Sequence, residues 1–173
     1  MTEAELRNRV LDRIEGLRDE ITATLQTLVR IPSVTPKYPG LDYDEVVGGE
    51  KRCNEALIPS LQAAGAEIDL WEEEPGRGNL VGVVKGSGGG RSLIYNGHID
   101  TVPEGDATAW TAGDPWSARV ADGLLYGLGA CDMKAGIVAQ WIDQRVNSDP
   151  TYVRTRAILI ALFKPAKRLL FVA

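Results

Sequence analysis

Leu6, Val10, Ile14, Leu17, Ile21, Leu25 and Leu28 recur at three- and four-residue steps, the spacing that puts apolar side chains on one helix face. Thr2-Glu3-Ala4-Glu5 ahead of them has the form of a capping box, so a long amphipathic helix is expected up to about Arg30, with a break near Gly16 and a stop at Pro32. Ser33 to Asp44 is polar and contains Pro and Gly, as a loop does, and a second helix is expected over about Glu45 to Ala64, ended by Gly65. The period then changes from helical to alternating. Ala66 to Trp71, Asn79 to Val84 and Ser92 to Tyr95 read as short strands, neighbours in one sheet, separated by Glu74-Pro75-Gly76-Arg77-Gly78 and the Gly86 to Gly90 turn. Trp116 to Val120 and Leu124 to Tyr126 flank Ala121-Asp122-Gly123 as a hairpin would, Met133 to Val146 reads as a third helix, and Arg156 to Phe163 as a buried strand. Helices alternate with strands, which makes the class α/β.

Composition narrows the function. The chain has 173 residues, 44% hydrophobic and 25% charged, ordinary values for a globular domain, and a net charge of −5 offers no footprint for nucleic acid or an anionic membrane. Its longest apolar run, Ala157 to Phe163, is far below the roughly 20 residues that span a bilayer, so no membrane partner is expected. Cys53 and Cys131 form no C-x-x-C pair, which suits a reducing compartment, and the expected localisation is cytoplasmic. The single histidine excludes H-E-x-x-H peptidases and two-His zinc fingers.

That histidine, His98, follows the apolar run Leu93-Ile94-Tyr95, at the carboxyl end of an expected strand, where open α/β sheets place ligands. Asp100 stands two residues on, suited to hold one imidazole nitrogen and leave the other for a metal, although a loop histidine beside a solvated carboxylate has the same spacing. A second constellation runs Gly127-Leu128-Gly129-Ala130-Cys131-Asp132-Met133-Lys134-Ala135-Gly136, between an expected strand and an expected helix. Asp132 there either caps the helix or binds a cation. A dinucleotide loop is disfavoured, because Asp132 occupies the third glycine position of G-x-G-x-x-G and would face the pyrophosphate with a carboxylate.

Taken together, Gly97-His98-Ile99-Asp100-Thr101-Val102-Pro103 and the Gly127 to Gly136 segment resemble the paired signatures of the metallohydrolase family that contains acetylornithine deacetylase, succinyl-diaminopimelate desuccinylase, aminoacylase and carboxypeptidase G. Leu28-Val29-Arg30-Ile31-Pro32-Ser33-Val34-Thr35-Pro36 looks like the same family's opening signature, so the resemblance spans roughly residues 20 to 140. It implies a zinc-peptidase-like catalytic domain with a mixed sheet flanked by helices, and two divalent metal ions, zinc first and cobalt as the alternative, sharing a bridging water. It also implies roles: His98 binds one metal, Asp132 bridges both, and Asp100 serves the catalytic machinery by orienting His98. The implied reaction is hydrolysis of an amide bond in an N-acyl amino acid or small peptide. Leu128 departs from the pattern, since many relatives carry Arg there.

A Glu-Glu pair that would supply the general base and a further metal ligand is missing. Where it is expected the chain reads Lys164-Pro165-Ala166-Lys167-Arg168, and the cations Lys167 and Arg168 repel metal rather than bind it. The expectation is therefore an N-terminal part of a metallohydrolase catalytic domain over residues 1–173, with an atypical tail over about 164–173 and no lid or dimerisation domain. Such a truncated chain, its tail following a frameshift, is expected to be inactive alone. The alternative is a non-catalytic remnant or partner-binding fragment that self-associates through uncovered surface.

Overall fold

The computed structural model describes residues 2–86, 92–147 and 156–162, with Gln144, Asn147 and 156–162 described by backbone alone. The Gly86 to Gly90 turn lies largely outside the described residues, and the Lys164 to Arg168 segment entirely so.

The first amphipathic stretch forms two helices, α1 (Glu3–Glu15) and α2 (Arg18–Val29), broken at Gly16 and Leu17. Thr2 accepts from the Glu5 backbone N–H while the Glu5 carboxylate takes the Thr2 N–H, satisfying two amides that the first turn leaves without partners. The second helical stretch is also divided, into a single turn α3 (Tyr43–Val46) and α4 (Gly49–Ala63). The division has a steric cause. A Cβ on Gly49 would lie 2.3 Å from the Pro32 carbonyl oxygen, so α4 starts where the chain can press directly on the Pro32–Ser33 backbone.

β1 (Glu67–Glu74) and β2 (Arg77–Val84) form an antiparallel hairpin through Pro75-Gly76, with Gly76 at φ +81°. β3 (Ser92–His98) is not the neighbour of β2 that the sequence suggests. β6 (Arg156–Leu162) lies between them, antiparallel to β2 and parallel to β3, giving the order β1-β2-β6-β3. A parallel pair needs a crossover, and α5 (Ala135–Asn147) supplies it between β3 and β6. β4 (Arg119–Ala121) and β5 (Leu124–Tyr126) form a separate two-stranded hairpin. Its turn residues Asp122 and Gly123 both have positive φ, as a right-twisted two-residue turn requires.

Leu28, Leu57, Leu61, Leu80, Ile99, Ile137 and Trp141 make the centre of the core, so α2, α4 and α5 all turn their apolar faces toward the sheet. The Trp141 indole N–H donates to the Ser60 carbonyl at 3.0 Å, which lets so large a side chain be buried without an orphaned donor. None of the described helices is long and apolar enough to cross a membrane.

Candidate metal centre

The site forms where three segments far apart in sequence are clamped together. His98 ends β3, and the chain after it is held against the segment beyond α2: Thr101 N–H donates to Ser33 O, Thr35 N–H to Thr101 O, and Ser33 Oγ to Ile99 O at 2.7 Å. The third segment is the turn Ala130–Lys134 between β5 and α5. Sequence reading starts the helix at Met133, but Asp132 (φ −120°, ψ 97°) and Met133 (φ −133°, ψ 38°) are non-helical and α5 begins at Ala135. Gly129 has φ +74°, and a Cβ on it would lie 2.4 Å from Thr101 Cγ2, so the turn sits directly on the His98 loop.

Lys134 fixes the turn from below. It is fully buried, and its ammonium donates to Leu28 O at 2.8 Å and Ile31 O at 2.9 Å, two carbonyls at the C-terminal end of α2. Burial pushes its pKa below the ordinary lysine value, and burial pushes the neighbouring Cys53 thiol up. Cys53 is buried and Cys131 exposed, both as free thiols.

These clamps bring the sequence candidates together. His98 Nδ1 lies 3.1 Å from Asp100 Oδ1, and His98 Nε2 lies 3.0 Å from Asp132 Oδ1. Asp132 does not act as a helix cap: its carboxylate, 86% exposed, faces the imidazole. Two donors each about 2.1 Å from one tetrahedral cation stand about 3.4 Å apart, so Nε2 and Oδ1, at 3.0 Å, suit a shared cation in kind and need to part slightly to admit it. They do not fit in number. Zinc takes three or four protein donors or water, and no group of three His, Cys, Asp or Glu suited to a metal occurs among the described residues.

Sequence reading missed the charged pair beneath the site. Arg77 (1% exposed) donates through Nε to Glu50 Oε1 at 2.9 Å, and through Nη2 to Thr35 Oγ1 at 3.3 Å. Glu50 is fully buried and its other oxygen, Oε2, has no hydrogen-bond partner, so burial raises its pKa against the opposing pull of Arg77, with Asp100 adding to the rise. Nothing in the sequence separates these two charges from surface ones.

An α/β sheet with a histidine at a strand end and an aspartate on the facing turn defines the class, a metallopeptidase-like catalytic fold. The comparisons with known proteins find similarity of the same kind. Residues 94–142 match Peptidase family M20/M25/M40. Succinyl-diaminopimelate desuccinylase of Cereibacter sphaeroides is 41% identical over 113 residues, 65% of this chain and 26% of that protein. N-formyl-4-amino-5-aminomethyl-2-methylpyrimidine deformylase of Halalkalibacterium halodurans is 32% identical over 132 residues, 75% of this chain and 29% of that protein. Human carnosine dipeptidase 1 has the same fold at TM-score 0.72 and 21% identity, covering 90% of this chain and 34% of that one. A metallo-carboxypeptidase of the M20 family from Sulfolobus solfataricus gives 0.64 and 22%, covering 83% and 30%. Residues 94–142 thus resemble Peptidase family M20/M25/M40, and the chain spans about a quarter to a third of the relatives' length.

Proposed function

We propose that this chain supplies part of the metal centre of a hydrolase that cleaves the amide bond of an N-acyl amino acid or small peptide. The observation that carries the reading is the approach of His98 Nε2 and Asp132 Oδ1 to 3.0 Å, from segments with no local reason to meet. His98 and Asp132 would supply two of the cation's donors, zinc before cobalt, since imidazole and carboxylate suit both. The Asp100 backbone carbonyl, 3.2 Å from Nδ1, is placed to accept its proton, with the Asp100 carboxylate beside it, and so to fix the tautomer that leaves the Nε2 lone pair outward. Asp132, with two carboxylate oxygens and high exposure, is free to touch a second cation as well. A divalent cation bound at this place would supply the charge that acidifies water and polarises an amide carbonyl. The named relatives, a desuccinylase, a deformylase and a dipeptidase, all point to amide substrates.

Calorimetric titration with zinc tests the reading. The wild-type chain is expected to bind, His98→Ala and Asp132→Ala to lose about tenfold or more in affinity, and Asp100→Asn, which keeps the backbone acceptor of Nδ1, to lose less than either. Unchanged affinity in all three variants rejects it.

A second reading, a partner-binding fragment, draws on one observation. β3 is an edge strand among the described residues, and it exposes Leu93 and Ile94.

A further inference from the structure

Thr35 lines the cleft of about 350 Å³ that also contains His98 and Asp132, a volume within the range of small-molecule sites. It is half-buried between two buried neighbours, Val34 and Pro36. Its backbone is pinned to the loop that follows His98: the Thr35 N–H donates to Thr101 O at 2.9 Å, and Val34 forms a parallel bridge with Thr101.

The Thr35 side chain is held by a buried donor. Arg77 Nη2 lies 2.8 Å from Glu50 Oε1 and donates to Thr35 Oγ1 at 3.3 Å. Arg77 and Glu50 are both fully buried, so this guanidinium is fixed by its partners and cannot turn to water. A hydroxyl has two lone pairs and a single proton to give. Thr35 Oγ1 accepts from Arg77 and gives its own proton to no acceptor among the described residues. A cationic donor on the oxygen also polarises the O–H bond and makes it the stronger donor. A group oriented in advance in this way bonds a ligand at little cost in ordering.

We infer that the Thr35 hydroxyl donates a hydrogen bond to an oxygen of the substrate in the cleft, and that Arg77 is the positioning residue that orients it. The acceptor is the acyl carbonyl or the carboxylate of an N-acyl amino acid. The inference rests on the hydrolase reading for that class of ligand, and on the Glu50–Arg77–Thr35 chain for the donor.

N-acetylglycine carrying NMR-visible carbon labels at the acyl carbonyl and at the carboxylate is the probe, titrated into the whole chain with zinc present and followed by calorimetry and by its carbon spectrum. Thr35→Val keeps the branched shape and removes the hydroxyl; it is expected to bind the probe about 3- to 10-fold more weakly, the worth of one hydrogen bond. The labelled carbon whose oxygen took the proton is expected to lose part of its bound shift, which tells carbonyl from carboxylate. Thr35→Ser, which keeps the hydroxyl, is expected to retain wild-type affinity and both shifts. Arg77→Lys keeps a charge beside Glu50 but loses the forked donor, and is expected to reduce the same shift as Thr35→Val. Should valine unfold the chain, Thr35→Ala repeats the measurement, its smaller side chain leaving room for a water on Arg77 Nη2. Absence of probe binding by the wild type, equal affinity without the hydroxyl, or weaker binding in which both carbons keep their full bound shifts overturns the inference, and a shift unmoved in Arg77→Lys overturns the positioning role. A chain that binds no zinc yet loses probe affinity in Thr35→Val keeps the inference and counts against the hydrolase reading. Zinc binding with a probe indifferent to residue 35 does the reverse.

Discussion

Glu50 and Arg77 carry the largest electrostatic liability among the described side chains, a carboxylate and a guanidinium buried together beneath a loop that holds the site. Burial outweighs the pull of Arg77 and favours the neutral form of Glu50, so the neutral isostere Glu50→Gln is expected to be no less stable than wild type in denaturant unfolding at neutral pH. The pH dependence has a definite sign. The folded-state pKa of Glu50 is raised above its ordinary 4.5, chiefly by burial, so the folded chain takes up a proton more readily than the unfolded one. This group's contribution to stability is fully present below 4.5 and is lost as pH rises through the raised value. The stability of wild type relative to Glu50→Gln is therefore expected to rise as pH falls from neutral toward 4.5; a relative stability that falls over that range contradicts the assigned environment. At this scale the sequence was readable where chemistry is local. His98 and Asp100 are two residues apart and meet at 3.1 Å, but the meeting of His98 with Asp132 came only from the paired motifs. The burial of Glu50, Arg77 and Lys134 was illegible, because burial of a charge depends on segments folding over it.

Glycines set how closely the elements around the site can approach. Gly129→Ala has two costs, a left-handed backbone at φ +74° and a Cβ 2.4 Å from Thr101 Cγ2. The expected loss is about 1–3 kcal/mol of stability, and the clash pushes the Asp132 turn off the His98 loop, so zinc affinity is expected to fall as well. Gly105→Ala is the matching control. Its φ is +69° but nothing lies within 4 Å of its Cβ, so thermal denaturation is expected to register the strain while zinc titration stays at the wild-type value. If Gly105→Ala weakens zinc binding as much as Gly129→Ala does, close approach at Thr101 is not what holds the turn. Elements with a local signature were legible: the capping box of α1, the break at Gly16 and the Asp122-Gly123 turn all rest on nearest neighbours in sequence. The order of the strands was not. β6 enters between β2 and β3 only after α5 has crossed over, and no periodicity in β2 or β3 records which strand will lie beside it. The late start of α5 was hidden for a related reason: nothing in the sequence from Met133 on marks the non-helical backbone at Asp132 and Met133, and Lys134 reaches Leu28 O and Ile31 O only once α2 is packed above it.

At the scale of the molecule, the described sheet ends on β3, and the behaviour of an open edge depends on the side chains its strand displays. Backbone groups on that edge have no strand partner among the described residues, and Leu93 and Ile94, 40% and 44% exposed, point to opposite faces, so the edge is apolar on both sides. An edge of this kind pairs with another strand unless a charge interrupts it, and the strand present in every sample is β3 of a second copy. Concentration-dependent association is therefore expected in sedimentation velocity, and Ile94→Lys is expected to suppress it. A lysine there keeps its ammonium in water while its stem covers the strand, and two such charges facing each other across a β3–β3 pair repel. Val120→Lys makes the same chemical change at a residue 48% exposed on the separate β4–β5 hairpin. If general surface hydrophobicity drives the association, both variants reduce it equally. If the β3 edge drives it, only Ile94→Lys does, and zinc affinity at His98 is unchanged in that variant because residue 94 lies more than a strand turn from the site.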